Sequence, residues 1–205
     1  MKRFLSITAF AFVLLALTGC NEGTRKKALL PTISGKAGEV IIVVSKGEWE
    51  GCVGIELRDL LASDCPFLPQ KEPLYTLVNI TPSTFTNIFQ IHRNILIVNI
   101  SSDVTEPGIV YRTDVWAQPQ CVMSVNAPDG ESAAEIIREN RDRILHTLEQ
   151  AERDRIINNA KKFEEHSLAP EVTALAEGSP HFPSGYSLKK RAQNFIWISY
   201  ETTYI

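Results

Sequence analysis

The sequence lacks the motifs that usually reveal an enzyme or a cofactor-binding protein. It contains no Walker phosphate-binding loop, no dinucleotide-binding Gly-x-Gly-x-x-Gly pattern and no Gly-x-Ser-x-Gly nucleophile elbow. Its four cysteines and four histidines show none of the close spacings typical of zinc sites. We therefore predict no catalytic residue, no cofactor and no metal ligand from motifs alone.

The sequence also lacks an excess of positive charge. It has 21 Lys and Arg residues against 24 Asp and Glu, a formal net charge of −3. Proteins that bind nucleic acid through the phosphate backbone need basic patches. We therefore expect no nucleic-acid partner.

Long apolar runs are missing except at the amino terminus. Lys2 and Arg3 precede an almost wholly apolar stretch at 4–17, and Leu-Thr-Gly-Cys follows at 17–20. This order is typical of a bacterial lipoprotein signal, and the run is too short for an ordinary spanning helix. We expect residues 1–19 to be removed and a diacylglycerol to be attached at Cys20.

Cleavage there would leave 186 of the 205 residues, enough for one good-sized domain. Residues 20–38 are polar and without periodicity, which predicts a flexible tether with order beginning near Glu39. Residues 39–166 are predicted to form an α/β domain. Residues 167–205 are predicted to form a long loop and a β-hairpin.

Three cysteines, Cys52, Cys65 and Cys121, remain when Cys20 is assigned to lipid. We predict them to be small buried hydrophobic residues. A disulfide between Cys52 and Cys65 is excluded if one helix spans both, because thirteen residues of helix rise roughly 20 Å.

The hydrophobic pattern predicts alternating strands and helices over residues 40–100. Runs at 40–44 and 94–100 are typical of buried strands, and 75–80 predicts a third. One helix containing Trp49 is predicted between the first two strands. A second short helix is predicted to carry Phe85, Ile88, Phe89 and His92 on one face.

The second half of the chain predicts two hairpins that flank a long helix. Segments 109–116 and 121–126 alternate, as do 186–190 and 195–203. A long charged amphipathic helix is predicted after Asp129, with an apolar stripe that Ile156, Ala160 and Phe163 continue. Together these elements predict an α+β fold, a mixed α/β sandwich with helices packed on one mixed sheet.

Glycines 47, 51 and 54 surround the turn into the first helix and could bind phosphate at a helix amino terminus. Close helix-to-sheet packing explains them more simply. His92, with Arg93 beside it, could be a satisfied core histidine or a catalytic base.

A hydrolase would need His92 to meet a carboxylate such as Asp114 and a nucleophile such as Ser101 or Ser124. Trp49 and Trp116 could line a carbohydrate or peptide groove, although core packing is the simpler role. Trp116 is predicted to share a strand face with Arg112 and Asp114. These six side chains are the candidate surface or cleft residues: Trp49, His92, Arg93, Arg112, Asp114 and Trp116.

Several blocks of sequence resemble the DUF4837 family of Bacteroidetes-type lipoproteins. They include Gly-Glu-Val-Ile-Ile-Val-Val at 38–44, Pro-Phe-Leu-Pro-Gln-Lys-Glu-Pro at 66–73, His-Arg-Asn-Ile-Leu-Ile-Val-Asn-Ile at 92–100 and Asp-Val-Trp-Ala-Gln-Pro-Gln at 114–120. The resemblance implies an exported lipoprotein with no established activity. Members of that family are longer, which implies that residues 167–205 begin a truncated second portion.

These observations predict a cell-envelope lipoprotein at the periplasmic face of the outer membrane. We expect a non-enzymatic binding or structural protein whose partners are the membrane, through the lipid at Cys20, and an envelope protein or glycan. Self-association through the last strand is a further expectation. The alternatives are a membrane-tethered hydrolase that uses polar residues around His92, and a truncated remnant without an independent role.

Overall fold

The computed structural model describes residues 29–201, of which those from Pro31 onward form one compact unit. The predicted signal peptide, the lipid-bearing Cys20 and the last residues of the predicted terminal strand lie outside this range. Within it, the chain has the predicted α+β fold, with a five-stranded mixed sheet and a separate two-stranded sheet. No helix in the described range is long and apolar enough to cross a membrane.

The main sheet has the order β2-β1-β3-β5-β4. Its first four strands in this order are mutually parallel, and the edge strand β4 is antiparallel to β5. The strands are β1 (Glu39–Val43), β2 (Thr76–Ile80), β3 (Asn94–Ile100), β4 (Gly108–Thr113) and β5 (Cys121–Ala127). The β-branched runs of β1 and β3 form the buried centre, as parallel strands covered on both faces require.

The predicted single helices are interrupted. The segment after β1 forms α1 (Lys46–Glu50) and α2 (Cys52–Leu61), and the segment after β5 forms α4 (Gly130–Glu139) and α5 (Arg141–Lys162). Gly51 and Asn140 mark the breaks. Ser45 and Asp129 cap the first helix of each pair by accepting hydrogen bonds from Glu48 N and Ser132 N.

The two faces of the sheet are covered differently. Helices α2, α4 and α5 bury one face, where Ile42, Leu96 and Met123 are fully covered. On the other face a smaller cluster around Ile41 and Ile95 is covered by short elements and a turn. The short elements are the 3₁₀ helix Pro82–Thr84 and α3 (Asn87–Gln90). The side chains that pack on the cluster include Phe85, Phe89 and Trp116.

Two predictions about the α3 region and α5 are wrong in detail. In place of the predicted helix the structure has only the four-residue α3, and Phe85 and His92 both lie outside it. Ile88 lies within α3, but its side chain is 71% exposed. Ile156 in α5 and Phe163 just after it are exposed, and Arg155 occupies the buried stripe after Ile144 and Leu148.

Ordered pairing begins earlier than predicted. Thr32 bridges to Gln118 and Ser34 to His92, although residues up to Gly38 were predicted to belong to the tether. Backbone hydrogen bonds from Ser34 N to Ile91 O (2.9 Å) and from Arg93 N to Ser34 O (3.1 Å) hold this segment on the domain. The part of the predicted tether from Thr32 onward is therefore hydrogen-bonded to the domain beside the amino-terminal ends of β3 and β5.

The region after α5 contains a helix that the sequence did not predict. Residues 167–185 were expected to be a loop, but α6 (Leu168–Ala176) forms and buries Leu168 and Val172. The predicted hairpin follows as β6 (Ser187–Ala192) and β7 (Phe195–Ser199), in antiparallel register. All six residues of β6 are exposed.

Candidate functional site

His92 is buried next to the first residues of β1 and β3. Its Nδ1 lies 3.2 Å from Asn94 O, and its Nε2 lies 3.5 Å from a carboxylate oxygen of Glu39. Gly35, with φ +87°, packs against the ring so closely that a Cβ there would lie 2.0 Å from Nε2. Among the described residues, no serine or threonine hydroxyl is hydrogen-bonded to His92, so its position is that of a satisfied core histidine.

A buried polar network surrounds this histidine at the amino-terminal edge of the sheet. Arg155 donates to Asn94 Oδ1 (3.0 Å), Arg93 O (2.8 Å) and Pro119 O (3.0 Å). Glu152 accepts from Arg93 Nη2 (2.9 Å) and from Asn94 Nδ2 (2.8 Å), and it lies 3.0 Å from Arg155 Nη1. These contacts join α5 to the first residues of β3 and β5.

This network has a structural role. Burial lowers the pKa of Arg155, although the carboxylate of Glu152 acts in the opposite direction. The arginine's ordinary value is so high that it stays charged.

Gln120 connects three of the predicted candidates. Its side-chain amide donates to His92 O (2.7 Å) and Gln90 O (2.6 Å), and its side-chain oxygen accepts from Trp116 N (3.0 Å). Its backbone N donates to Asp114 Oδ1 (3.0 Å). His92, Asp114 and Trp116 are therefore held near one another by an amide that fixes a turn.

The predicted strand face shared by Arg112, Asp114 and Trp116 does not form. Strand β4 ends at Thr113, and Asp114 has φ +53°, which turns the chain. Arg112 is exposed, whereas Trp116 packs edge-on against Phe85 with a ring distance of 5.4 Å.

Trp49 lies on α1, far along the chain from these residues. Arg58 stacks over its ring at 4.7 Å and donates to Trp49 O (2.9 Å). Neither Trp49 nor Trp116 presents an open ring face to a groove, because both pack against the hydrophobic core.

Of the three glycines near Trp49, Gly54 serves close packing between two helices, whereas Gly47 has open space around it. A Cβ on Gly54 would lie 1.7 Å from Trp49 O, so α1 and α2 can meet here only without a side chain. The predicted packing was between helix and sheet. Helix α1 has only five residues, too few for a phosphate site at its amino terminus.

Only one of the three predicted buried cysteines is buried. Cys52 is exposed, Cys65 is half-buried and Cys121 is buried, and all three are free thiols. Helix α2 ends at Leu61, so it does not extend to Cys65 as predicted. Burial raises the pKa of Cys121 to about 11, which leaves the thiol protonated and a poor nucleophile.

A cavity of about 390 Å³ lies between the edge strand β4 and helix α5. Its floor includes Tyr111, Gln120, Cys121 and Ala151, and polar side chains that are exposed or half-buried surround the opening: Arg112, Thr113, His146, Thr147, Gln150 and Asp154. Gln150 donates to Asp154 (2.8 Å). This polar opening over a partly apolar floor is suited to binding a small segment of a partner.

Tyr111 has an unusual environment in this cavity. Its hydroxyl is buried and has no hydrogen-bond partner in the described part of the chain, and burial raises its pKa. The guanidinium of Arg143 covers the ring at 4.3 Å. A buried donor without a partner is costly, and a bound acceptor would relieve that cost.

Among residues 29–201, the outer side of the β4 backbone also has no hydrogen-bond partner. Asp114 N donates to Gln120 O (3.1 Å), so Asp114 and Gln120 form a hydrogen-bonded pair of the antiparallel ladder. Hydrogen-bonded and non-hydrogen-bonded pairs alternate along such a ladder, so the backbone N–H and C=O groups of Ile109, Tyr111 and Thr113 point away from β5. Strand β4 is the last strand of the sheet on this side.

A second cavity of about 550 Å³ lies at the amino-terminal edge of the sheet. Three basic side chains, Arg93, Arg155 and Lys162, line it together with Thr32, and no acidic side chain from the described part of the chain does. Within residues 29–201, no group of three or more His, Cys, Asp or Glu side chains could hold a metal ion.

Sequence reasoning missed Asn94, Gln120, Glu152 and Arg155. Arg155 carried a usable signal, because it continues the helical spacing of Ile144, Leu148 and Ala151. Asn94 stands directly before the apolar residues of β3, a weaker signal. Nothing in the sequence marks Gln120 or Glu152, because their partners are distant in the chain.

The α+β fold, with its parallel sheet and antiparallel edge, defines only a broad structural class. Residues 33–161 match a family described as a domain of unknown function, DUF8532. This match covers more than half of the chain, which therefore belongs to the DUF8532 family. No curated protein and no solved structure matches the chain.

The family match corrects the resemblance to DUF4837, which is wrong. The blocks that suggested it come mostly from buried strands and the proline-containing turns beside them. Such blocks are shaped by packing and turn geometry, which unrelated α/β proteins share. The expectation of a truncated second portion loses the support that it took from that resemblance.

Proposed function

We propose that this protein is a cell-envelope lipoprotein, anchored through Cys20 at the periplasmic face of the outer membrane, that binds a partner without catalysing a reaction. The anchor is supported by the positively charged start, the apolar run and the Leu-Thr-Gly-Cys pattern at 17–20. Binding is supported by one observation above all: the cavity between β4 and α5.

A polypeptide in extended conformation fits this cavity better than a glycan. The free backbone groups of β4 can pair with an added strand, and the cavity beside them can receive a side chain of that strand. Glycan binding commonly uses an exposed aromatic ring face. Here Tyr111 is covered by Arg143, and Trp49 and Trp116 pack against the core.

The geometry gives the hydrolase alternative no support. His92 is enclosed by Gly35, Asn94 and Glu39, and Asp114 is occupied by the backbone N of Gln120. Ser101 accepts from Asp103 N and so belongs to a turn after β3, at the opposite edge of the sheet. Glu39 supplies a carboxylate beside His92, but no nucleophilic hydroxyl of the described residues is hydrogen-bonded to this histidine.

The anchor is tested by the intact mass of the protein extracted from membranes. We expect a chain that begins at Cys20 and carries acyl chains, and we expect Cys20→Ser to abolish both the cleavage and the lipid. A native chain with its first nineteen residues and an unmodified thiol would refute the anchor.

The binding surface is tested by a photo-crosslinking residue placed in living cells at Gln150, on the opening of the cavity. We expect it to capture one defined polypeptide, and the same polypeptide to be captured from Thr113 on β4. Thr105, in the exposed loop after β3, is the matched control. Equal capture from all three positions, or none from Gln150 and Thr113, would contradict the proposal.

A further inference from the structure

The connection between α2 and β2 has an exposed apolar tip. Phe67 is fully exposed and Leu68 is 46% exposed, with Pro66 and Pro69 on either side. Large apolar side chains that project together into water usually mark a contact surface.

The base of this loop is closed. Asp64 bridges to Pro73, Cys65 N donates to Glu72 O (2.7 Å), and Lys71 lies 3.3 Å from Asp64. Phe67 itself has φ +69°, a conformation that is unfavourable for a bulky residue. Such strain persists where the surrounding structure imposes it, and it is concentrated at functional positions.

This loop projects from the same edge of the sheet at which the chain joins the domain. The loop leads directly into the first residue of β2, where Thr76 N donates to Gly38 O (2.8 Å). Thr32 and Ser34 are paired at that amino-terminal edge. The loop after β3, which contains Thr105, lies at the opposite edge.

A bilayer anchored at Cys20 would lie within reach of this edge. Eleven residue steps separate Cys20 from Pro31, and at roughly 3.5 Å per residue they span at most about 40 Å. The second cavity, lined by Arg93, Arg155 and Lys162, is at the same edge. Glu152 neutralises part of this charge, but the cavity wall remains basic, which complements anionic lipid headgroups.

We infer that Phe67 and Leu68 insert into the interface of the membrane and orient the amino-terminal edge of the domain toward it. This inference rests on the proposed anchor at Cys20. The lipid supplies the affinity, because two apolar side chains alone hold a protein only weakly at a membrane. The loop supplies the orientation of the domain at the membrane.

The test uses the full lipoprotein, extracted from membranes and reconstituted into vesicles of phosphatidylethanolamine and phosphatidylglycerol. Phe67→Trp places a fluorophore at the tip, and its emission is obtained by difference from the unchanged protein. We expect this emission to shift to the blue and to be lost when the acyl chains are brominated. The exposed side chain makes the substitution compatible with folding.

Thr105→Trp provides the matched control at the opposite edge, and its emission should be unaffected by bromination. The inference is overturned if the tip fluorophore responds to aqueous quenchers as strongly as the control does. It is also overturned if the tip fluorophore becomes protected from quenchers only after another protein is added, because the tip then binds in a groove of that protein and not in the membrane. Failure of the unchanged protein to float with vesicles would instead refute the anchor.

Discussion

The five-stranded sheet and the two-stranded hairpin differ in how far apart their paired residues lie in the chain and in how deeply those residues are buried. In the sheet, Ile42 pairs with Leu96, a residue far away in the chain, and both are completely buried. In the hairpin, Ala192 pairs with Phe195 three residues later, and every residue of β6 is exposed. An isolated two-stranded sheet is marginally stable in water.

The difference indicates where stability is concentrated. Most of the apolar burial, the long-range pairing and the polar network lie within β1 to α5. Among the described residues, the hairpin is joined to the preceding region by few polar contacts, one of which is the Arg191–Glu171 ion pair. We expect the sheet to unfold cooperatively and the hairpin to open locally at much lower free energy.

The largest effect is expected from removing Arg155. Arg155→Ala leaves three buried acceptors without their donor, namely Asn94 Oδ1, Arg93 O and Pro119 O, so the free energy of unfolding in denaturant should fall by about 3–5 kcal/mol. Arg191→Ala, which breaks an exposed ion pair of the hairpin, should change it by at most about 1 kcal/mol. Equal losses would show that the two regions are not distinct.

Removing apolar volume should separate the regions almost as clearly. Leu148→Ala opens a cavity in the fully buried face under α5, and we expect a loss of about 2–5 kcal/mol in the unfolding free energy. Trp197→Ala, on the half-exposed face of β7, should alter the main transition by less than about 0.5 kcal/mol. A large effect of Trp197→Ala would place the hairpin in the same cooperative unit.

Two glycines of the helix pair α1 and α2 differ in the space around them. Gly54→Ala drives a Cβ into Trp49 O and should cost about 1–3 kcal/mol by calorimetry. Gly47→Ala meets nothing within 4 Å and should be neutral or stabilise α1 by up to about 1 kcal/mol. If both changes are neutral, the close approach of the two helices is not required.

The smallest effect concerns pH. A hydrogen bond from Ser132 N lowers the pKa of Asp129 below its ordinary 3.8, so this carboxylate stabilises the fold at neutral pH and loses that contribution as pH falls through the lowered pKa. Asp129→Asn should keep the cap and reduce the loss of unfolding free energy between pH 5 and about pH 2. Lys189 likewise lowers the pKa of Glu201 beside the hairpin, yet Glu201→Gln should leave the pH dependence of the main transition unchanged.

The sequence was sufficient for the α+β fold because several signals agreed. The β-branched runs of β1 and β3, the alternation around the β4–β5 turn and the cap at Asp129 each indicate one local structure, and that structure forms. The sequence was insufficient where local and distant requirements differ. The apolar spacing across Asn140 is compatible with one helix, and only packing on the sheet decides that there are two.

Side-chain placement was harder to predict than strands. Arg155 occupies a buried helical position because backbone carbonyls and Glu152 satisfy its guanidinium, so a search for apolar residues chose Ile156 instead. Helix α6 was missed because prolines and glycines dominate its surroundings, although Leu168 and Val172 have helical spacing. The β4 cavity depends on atoms of two distant elements and had no signature in the sequence.

The attachment of residues 32–34 also has a mechanical consequence. Pro31 O accepts from Gln118 N (2.9 Å), and Ser34 bridges in parallel to His92, so tension applied before Pro31 passes into the beginnings of β3 and β5. That force must pull several hydrogen bonds near Arg93 and Gln120 at once. A pull from a tethering surface would therefore be resisted by the central strands of the sheet and by the polar network around Arg155.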